Sequence, residues 1–209
     1  MSTERAALEM VYAARSESEL AHAYAEWAAS YDRETLSMGY CLPFVIAAWV
    51  ARHVPAGAGP ILDAGCGSGL SGAYLKALGY PYLEGLDFSP EMLALAKSRG
   101  SYSALTQAAL GTKLPWPDGY FEAFFATGVF TEGHAPAASL DELARITRPG
   151  GRAIFTVRDS VIEAAGFGSR MRQIEENGRW RAVEQSTPFR AFALAEPDVL
   201  VQAFVFEIL

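Results

Sequence analysis

Residues 61–70, ILDAGCGSGL, place three glycines within five positions directly after an apolar run. Glycine inside regular structure costs about 0.5–1 kcal/mol relative to alanine, so such a cluster marks positive φ or the close approach of a ligand. Ile61, Leu62 and Asp63 read as a buried strand, and 70–78, closed by Gly79, as a helix. A bare turn between a strand and its helix aims backbone N–H groups at the crevice beyond the strand ends. The chain is thereby constrained toward a parallel, helix-covered sheet with a ligand site at its carboxyl edge.

The rest of the chain repeats that unit. A strand at 82–86 leads to Asp87 and Phe88, then to a helix with Ser89 as N-cap and Pro90 at its first position, running to Gly100. A short strand at 102–105, a turn at 114–119 and an apolar strand at 121–127 follow. Ser139 and Glu142 form a capping box for a helix at 139–146, which stops before Pro149-Gly150-Gly151 and a strand at 152–157. The tail reads as an antiparallel hairpin of 189–194 with 199–208. The expected fold class is α/β: a doubly wound, mostly parallel seven-stranded sheet with this hairpin at its C-terminal end.

Ahead of the core, Ser16 and Glu19 form a possible capping box, and Leu20, Tyr24, Trp27 and Tyr31 share one helical face. A second apolar helix at 43–53 ends before the Pro/Gly run 55–60. Residues 1–58 are therefore expected to be a helical cover or lid, and 59–209 the core.

Composition narrows the function classes. Of 209 residues 51% are hydrophobic and 12% aromatic, enough for a sizeable core. Lys and Arg total 17 against 24 Asp and Glu, a net charge of -7 without a basic run, which argues against nucleic-acid binding. Cys41 and Cys66 have no CxxC spacing and no histidines at ligand spacing, so no metal site and no disulfide framework are expected, and a reducing compartment is favoured. The first twenty residues carry acids and arginines where a signal peptide needs an apolar core, and the longest apolar reach, 36–51, is too short to span a bilayer. The expectation is a cytoplasmic monomer or homodimer that engages no membrane.

Three ligand classes use a glycine turn of this kind. The phosphate-loop pattern finds Gly67 and Gly72 at the right separation but Ala73 and Tyr74 where a lysine and a hydroxyl are needed. The dinucleotide pattern GxGxxG starts at Gly65 and Gly67 but meets Leu70 at its third glycine, although Asp87 lies at the distance of a ribose carboxylate. The pattern acid-x-Gly-x-Gly-x-Gly is complete in Asp63, Gly65, Gly67 and Gly69. With GLDFSPEML at 85–93, LPWPDGYFEAFFA at 114–126 and ELARITRPGGRAIFTV at 142–157, the chain resembles the class I S-adenosylmethionine-dependent methyltransferases from residue 61 to about residue 157. The segments AEWAASYD at 25–32, ALG at 109–111 and TGVFTEGH at 127–134 resemble, more narrowly, the methyltransferase-like proteins named after the Williams-Beuren syndrome chromosomal region.

This resemblance implies S-adenosyl-L-methionine as cofactor and methyl transfer to an unidentified acceptor; with no added recognition domain beyond the helical cover, a small molecule is expected, with a protein side chain as the alternative. An activated methyl group needs alignment and exclusion of water more than a covalent catalyst. The resemblance assigns cofactor contacts to Tyr31, Asp63, Ala64, Gly65, Gly67, Gly69, Asp87, Phe88, Met92, Leu110 and Thr127. Asp63 would steady the loop and meet the amino group, Asp87 would accept both ribose hydroxyls, and Phe88 would flank the adenine. Leu110 stands where many relatives carry an acid for the adenine amino group. His134 is the candidate catalytic base for an acceptor hydroxyl or amine, with a loop histidine packing or capping the next helix as the alternative. Glu132 reads as a solvated loop acid, and Trp180 and Arg158 either line an acceptor pocket or pack on the surface. Two rival functions stay open: a binder of the cofactor without turnover, and a nicotinamide-dependent oxidoreductase.

Overall fold

The computed structural model describes residues 10–11, 13–14 and 17–209. At the centre of its sheet lies β1 (Ile61–Ala64), buried along its whole length, with β2 (Leu83–Asp87) and β4 (Phe121–Phe130) parallel on either side. The strand order is β3 (Ala104–Gln107), β2, β1, β4, β5 (Thr147–Arg158), β8 (Leu200–Ile208), β6 (Trp180–Gln185), and a two-residue β7 (Phe189–Arg190) pairs β8 off this path. The order reverses between β1 and β4. At such a switch point the flanking crossovers depart to opposite faces, which opens a crevice at the strands' carboxyl ends.

Alternation along the strands loads both faces of the sheet, as parallel strands covered by helices require. Leu62, Phe124 and Phe155 point into one layer, filled by Leu140 and Leu143 of α6 (Ser139–Ile146) and Met171 and Ile174 of α8 (Phe167–Glu176). Their neighbours Ile61, Phe125 and Ile154 point into the other, against Ile46 and Val50 of α3 (Leu42–His53) and Leu75 of α4 (Leu70–Ala77). The doubly wound, mostly parallel sheet expected from the sequence is the fold of this chain.

Local differences have identifiable causes. Over most of its length β8 is paired with β6, not with 189–194, and the expected hairpin survives only at Phe189 with Val201 and Arg190 with Leu200. Trp180 decides this. It stacks on Phe206 with ring centroids 4.2 Å apart and donates its indole N–H to the Met171 carbonyl at 3.1 Å, so a large apolar ring holds β6 against β8. Ser89 caps α5 (Pro90–Arg99) as expected, its hydroxyl accepting from the Met92 N–H at 3.2 Å. The capping box of α6 is not formed: Ala138 is the N-cap, and Glu142 instead accepts from the Leu114 N–H at 2.8 Å and from Arg145. The Ser139 N–H, which the box would have needed, is donated to the Pro136 carbonyl at 3.0 Å.

The cover comprises α1 (Glu17–Trp27), α2 (Tyr31–Ser37) and α3. The stripe expected on one helix crosses a break, because the chain turns at 28–30; Ser16 and the side chain of Leu20 lie outside the described residues. Trp27 donates to Glu34 at 2.7 Å and is buried with Met38, Leu42, Phe192 and Val199, which seats the cover on the segment between β7 and β8. Tyr40 bridges to Phe192, and the Cys41 N–H donates to the Ala191 carbonyl at 3.1 Å.

Candidate functional site

The glycine loop leaves β1 and opens α4, with φ of +84° at Gly65, +51° at Gly67 and +86° at Gly69. Positive φ is thus required at all three, and the surroundings add a second constraint at two of them. A Cβ at Gly65 would collide with Val129, and one at Gly69 would lie 3.0 Å from the Tyr102 ring and 3.1 Å from the Ala96 backbone. Gly67 is different: a Cβ there would meet nothing, and the residue borders open space.

That space is a cavity of about 220 Å³ at the carboxyl ends of β1, β2 and β4. Gly65 and Gly67 form its floor, Asp87 and Phe88 stand at the end of β2, and Met92 rises from the first turn of α5. Leu110 closes the side beyond β3, with Ala108 and Ala109. Thr127 lies in an irregularity of β4 between Ala126 and Phe130, where Gly128 takes φ +70° and turns the backbone toward the cavity. His134 comes from the loop after β4, and Tyr31 is laid across the opening from the cover. Nine residues singled out from the sequence therefore share one cavity wall. Asp63, Ala64 and Gly69 do not line it.

Asp87 is 6% exposed and uses both oxygens on the backbone: Oδ2 accepts from the Gly67 N–H at 2.8 Å and Oδ1 from the Ser89 N–H at 2.9 Å. Burial pushes its carboxyl above the usual range while these N–H groups oppose the shift. One carboxylate thus joins the glycine loop, the start of α5 and the cavity. Asp63 is 1% exposed behind the loop, where the Tyr102 hydroxyl donates to it at 2.6 Å. Burial raises it to about 7, the Tyr102 hydrogen bond acts against this, and the nearby Asp87 adds to it. Tyr102 itself is held well above its ordinary range, and burial pushes the Cys66 thiol up.

His134 is tied at both nitrogens. Nδ1 lies 2.8 Å from the Glu132 carbonyl, which can only accept, so Nδ1 carries the proton. Nε2 is then the acceptor, and the Tyr24 hydroxyl donates to it across 3.0 Å. Burial holds the imidazole below its ordinary value, with the Glu132 carbonyl and charge opposing. The ring does not cap α6. Glu132 is an exposed loop acid, as expected, but not an unpartnered one: it pairs with Arg158 at 2.8 Å and accepts from Ser160, and although burial opposes it, these hydrogen bonds keep its carboxyl below the usual range. Trp180 is fully buried in the core, neither on the surface nor in a pocket, whereas Arg158 borders a smaller cavity next to the first.

A polar clamp fastens the cover to the loop. Asp32, one residue into α2, accepts from the Ser68 hydroxyl at 2.6 Å and from Arg99, whose Nε donates to the Ser68 carbonyl at 2.6 Å. Tyr40, Tyr102, Ser68 and Arg99 carried no motif in the sequence. The only trace of Tyr40 was the glycine opposite it, since a Cβ at Gly128 would strike its hydroxyl. Among the described residues no group of three or more His, Cys, Asp or Glu stands where it could hold a metal ion.

Known proteins resemble this chain in sequence and in fold. The family described as a methyltransferase domain matches residues 62–155. Methyltransferase-like protein 27 of Homo sapiens is 32% identical over 171 residues, covering 78% of this chain and 68% of that protein. The 18S rRNA (guanine(1575)-N(7))-methyltransferase of Saccharomyces cerevisiae is 48% identical over 63 residues, covering 30% of this chain and only 23% of its own length. Among solved structures, a TehB-like SAM-dependent methyltransferase from Corynebacterium glutamicum superposes with a TM-score of 0.64 at 22% identity over 90% of this chain and 99% of that one, a likeness of fold.

Proposed function

The chain belongs to the class I S-adenosylmethionine-dependent methyltransferases, and from that premise we propose that it binds S-adenosyl-L-methionine in the larger cavity and methylates a small molecule. The supporting observation is the convergence of Asp87, Phe88, Met92, Leu110 and the open face of Gly67 on one cavity at the switch point of the sheet. A side chain at Gly67 would project into that cavity, so the bare backbone there suits a ligand lying against it. A sulfonium supplies an activated methyl group for in-line displacement; the protein's part is to align it and keep water out.

In this reading Asp87, already oriented by two backbone N–H groups, accepts from the ribose hydroxyls with its remaining lone pairs. Phe88 and Leu110 bracket the adenine, Met92 and Thr127 pack alongside, and Gly65 and Gly67 admit the methionine part. Tyr31 covers the reacting centre. Asp63, Ala64 and Gly69 act from behind the wall by holding the loop, Asp63 through Tyr102. His134 is the base, neutral and with its Nε2 lone pair accepting from the Tyr24 hydroxyl. Residues 1–58 act as lid and 59–209 as the catalytic unit.

The reading extends to a narrower kinship with the Williams-Beuren region proteins, on the segments at 25–32, 109–111 and 127–134, which hold Tyr31, Leu110, Thr127 and His134 of the cavity wall and Asp32 of the clamp. A cytoplasmic monomer or homodimer is in keeping with the two free cysteines and net charge of -7. No helix among the described residues is long and apolar enough to cross a membrane.

Calorimetric titration with S-adenosylmethionine, S-adenosylhomocysteine and NAD tests the assignment. Binding of the first two, lost in Asp87→Ala, is expected; a response to NAD alone would replace methyl transfer by hydride transfer. Tight binding with no product released from any metabolite pool would make the protein a binder without turnover.

A further inference from the structure

Beneath the cover a smaller compartment of about 70 Å³ adjoins the larger cavity, and the two share Tyr24, Tyr31, Tyr40, Gly128 and His134 as their common wall. Beyond that wall the lining is aromatic and apolar: Trp27, Phe130 and Phe192, with Leu42 and Val201. Its polar groups are engaged within the protein. The Thr35 hydroxyl donates to the Tyr31 carbonyl at 2.7 Å, and Thr156 lies 3.2 Å from the Thr127 hydroxyl. Among the described residues the one guanidinium in the wall, Arg158, is paired with Glu132 at 2.8 Å. The described lining therefore offers rings for stacking and no net charge, and an ionic guest would either break the Arg158 pair or lose its hydration without compensation from these residues.

One polar device faces both cavities. The Tyr24 hydroxyl donates to His134 Nε2, and a phenolic oxygen accepts while it donates. Tyr24 is held in this position by rings on three sides: Phe88 edge-on at 6.1 Å, Trp27 at 6.3 Å and Tyr31 at 6.3 Å. The chain of groups runs from the junction of the two cavities through the Tyr24 oxygen to a nitrogen with a lone pair.

Resting on the assignment of the larger cavity to S-adenosylmethionine, we propose that the methyl acceptor is a neutral phenol whose hydroxyl lies at the wall shared by the two cavities, with only part of its ring in the smaller compartment, and that Tyr24 relays the phenol's proton to His134. The step balances as follows. The acceptor O–H proton passes to the Tyr24 oxygen as the Tyr24 proton passes to His134 Nε2. The acceptor oxygen forms its bond to the methyl carbon while the carbon–sulfur bond breaks with its electron pair moving to sulfur. The products are an aryl methyl ether, a neutral thioether and an imidazolium that carries the original positive charge.

An isosteric series separates this from the alternatives: p-cresol, benzoate and benzylamine, each titrated by calorimetry into the complex with S-adenosylhomocysteine at pH 7.5. The expected result is p-cresol binding at least tenfold more tightly than either ion, and formation of 4-methylanisole when S-adenosylmethionine is supplied. Tyr24→Phe should keep p-cresol affinity within about threefold and lower kcat by about a hundredfold, the usual scale of positioned proton transfer. His134→Gln should lower kcat similarly and abolish the acidic limb of the pH profile. Preference for benzoate or benzylamine, binding of p-cresol without ether formation, or a Tyr24→Phe variant with unchanged kcat would each overturn the inference while leaving cofactor binding intact. Failure of S-adenosylhomocysteine to bind at all would remove the cofactor assignment and this inference with it.

Discussion

Asp63→Asn isolates what burial does to the carboxylate behind the glycine loop. A carboxyl moved from 3.8 to about 7 is disfavoured in its charged form by about 4 kcal/mol, at 1.36 kcal/mol per pH unit. Between those two values the folded protein binds more protons than the unfolded chain, so the sign is that of a stability present below about pH 4 and lost as pH rises through 7. At pH 5 less than about 2 kcal/mol of the penalty has developed, and at pH 8 all of it has. Asparagine does not titrate, and its carbonyl still accepts from Tyr102. Leaving its amide N–H groups unpaired adds about 1–3 kcal/mol of cost at every pH, which cancels in the comparison. Urea unfolding of both proteins at pH 5.0, 6.5 and 8.0 without ligand reads the difference directly. The stability of Asp63→Asn minus that of the wild type should move in favour of the variant by about 2–3 kcal/mol from pH 5 to pH 8. Parallel pH curves would refute the reasoning, since they require a carboxylate that stays ionised and therefore reaches water.

Gly67→Ala places a Cβ into the cavity at φ +51°; stability should fall by about 1 kcal/mol, and calorimetry should show S-adenosylmethionine affinity reduced at least tenfold. Asp32→Ala removes the acceptor shared by Ser68 and Arg99; proteolysis within 17–40 should accelerate, and the cofactor off-rate should rise several-fold in stopped-flow measurements, because the cover loses its tie to the loop. Burial keeps His134 below its ordinary range, so kcat should be flat above about pH 6.5 and fall only in more acid solution, as a pH-rate profile would record.

The strand-turn-helix reading of 61–100 needed no tertiary information. Its signals are local: an apolar run, three glycines whose positive φ only that residue adopts without strain, and Ser89 with Pro90 at a helix start. The same locality made Asp87, Phe88 and Met92 legible, because they lie at the end of β2 or within five residues of it, and the crossover rule carries them to the cavity. Contacts between distant segments were not legible. Tyr102 behind Asp63, Arg99 and Ser68 on Asp32, and Tyr24 on His134 join residues 36 to 110 positions apart, and no spacing rule relates them.

The tail shows the same division. Residues 189–208 carry strand propensity and a turn, so pairing them is the local solution, yet the sheet gives β8 to β6 because Trp180, Phe155 and Phe206 stack only in that register. Sequence alone determined the α/β architecture and the cofactor edge, since periodicity and glycine stereochemistry act over a few residues. Tertiary structure decided which side chains close the cavity, which carboxylate is dry and where His134 holds its proton, because burial and hydrogen-bond partners arise only when remote segments meet.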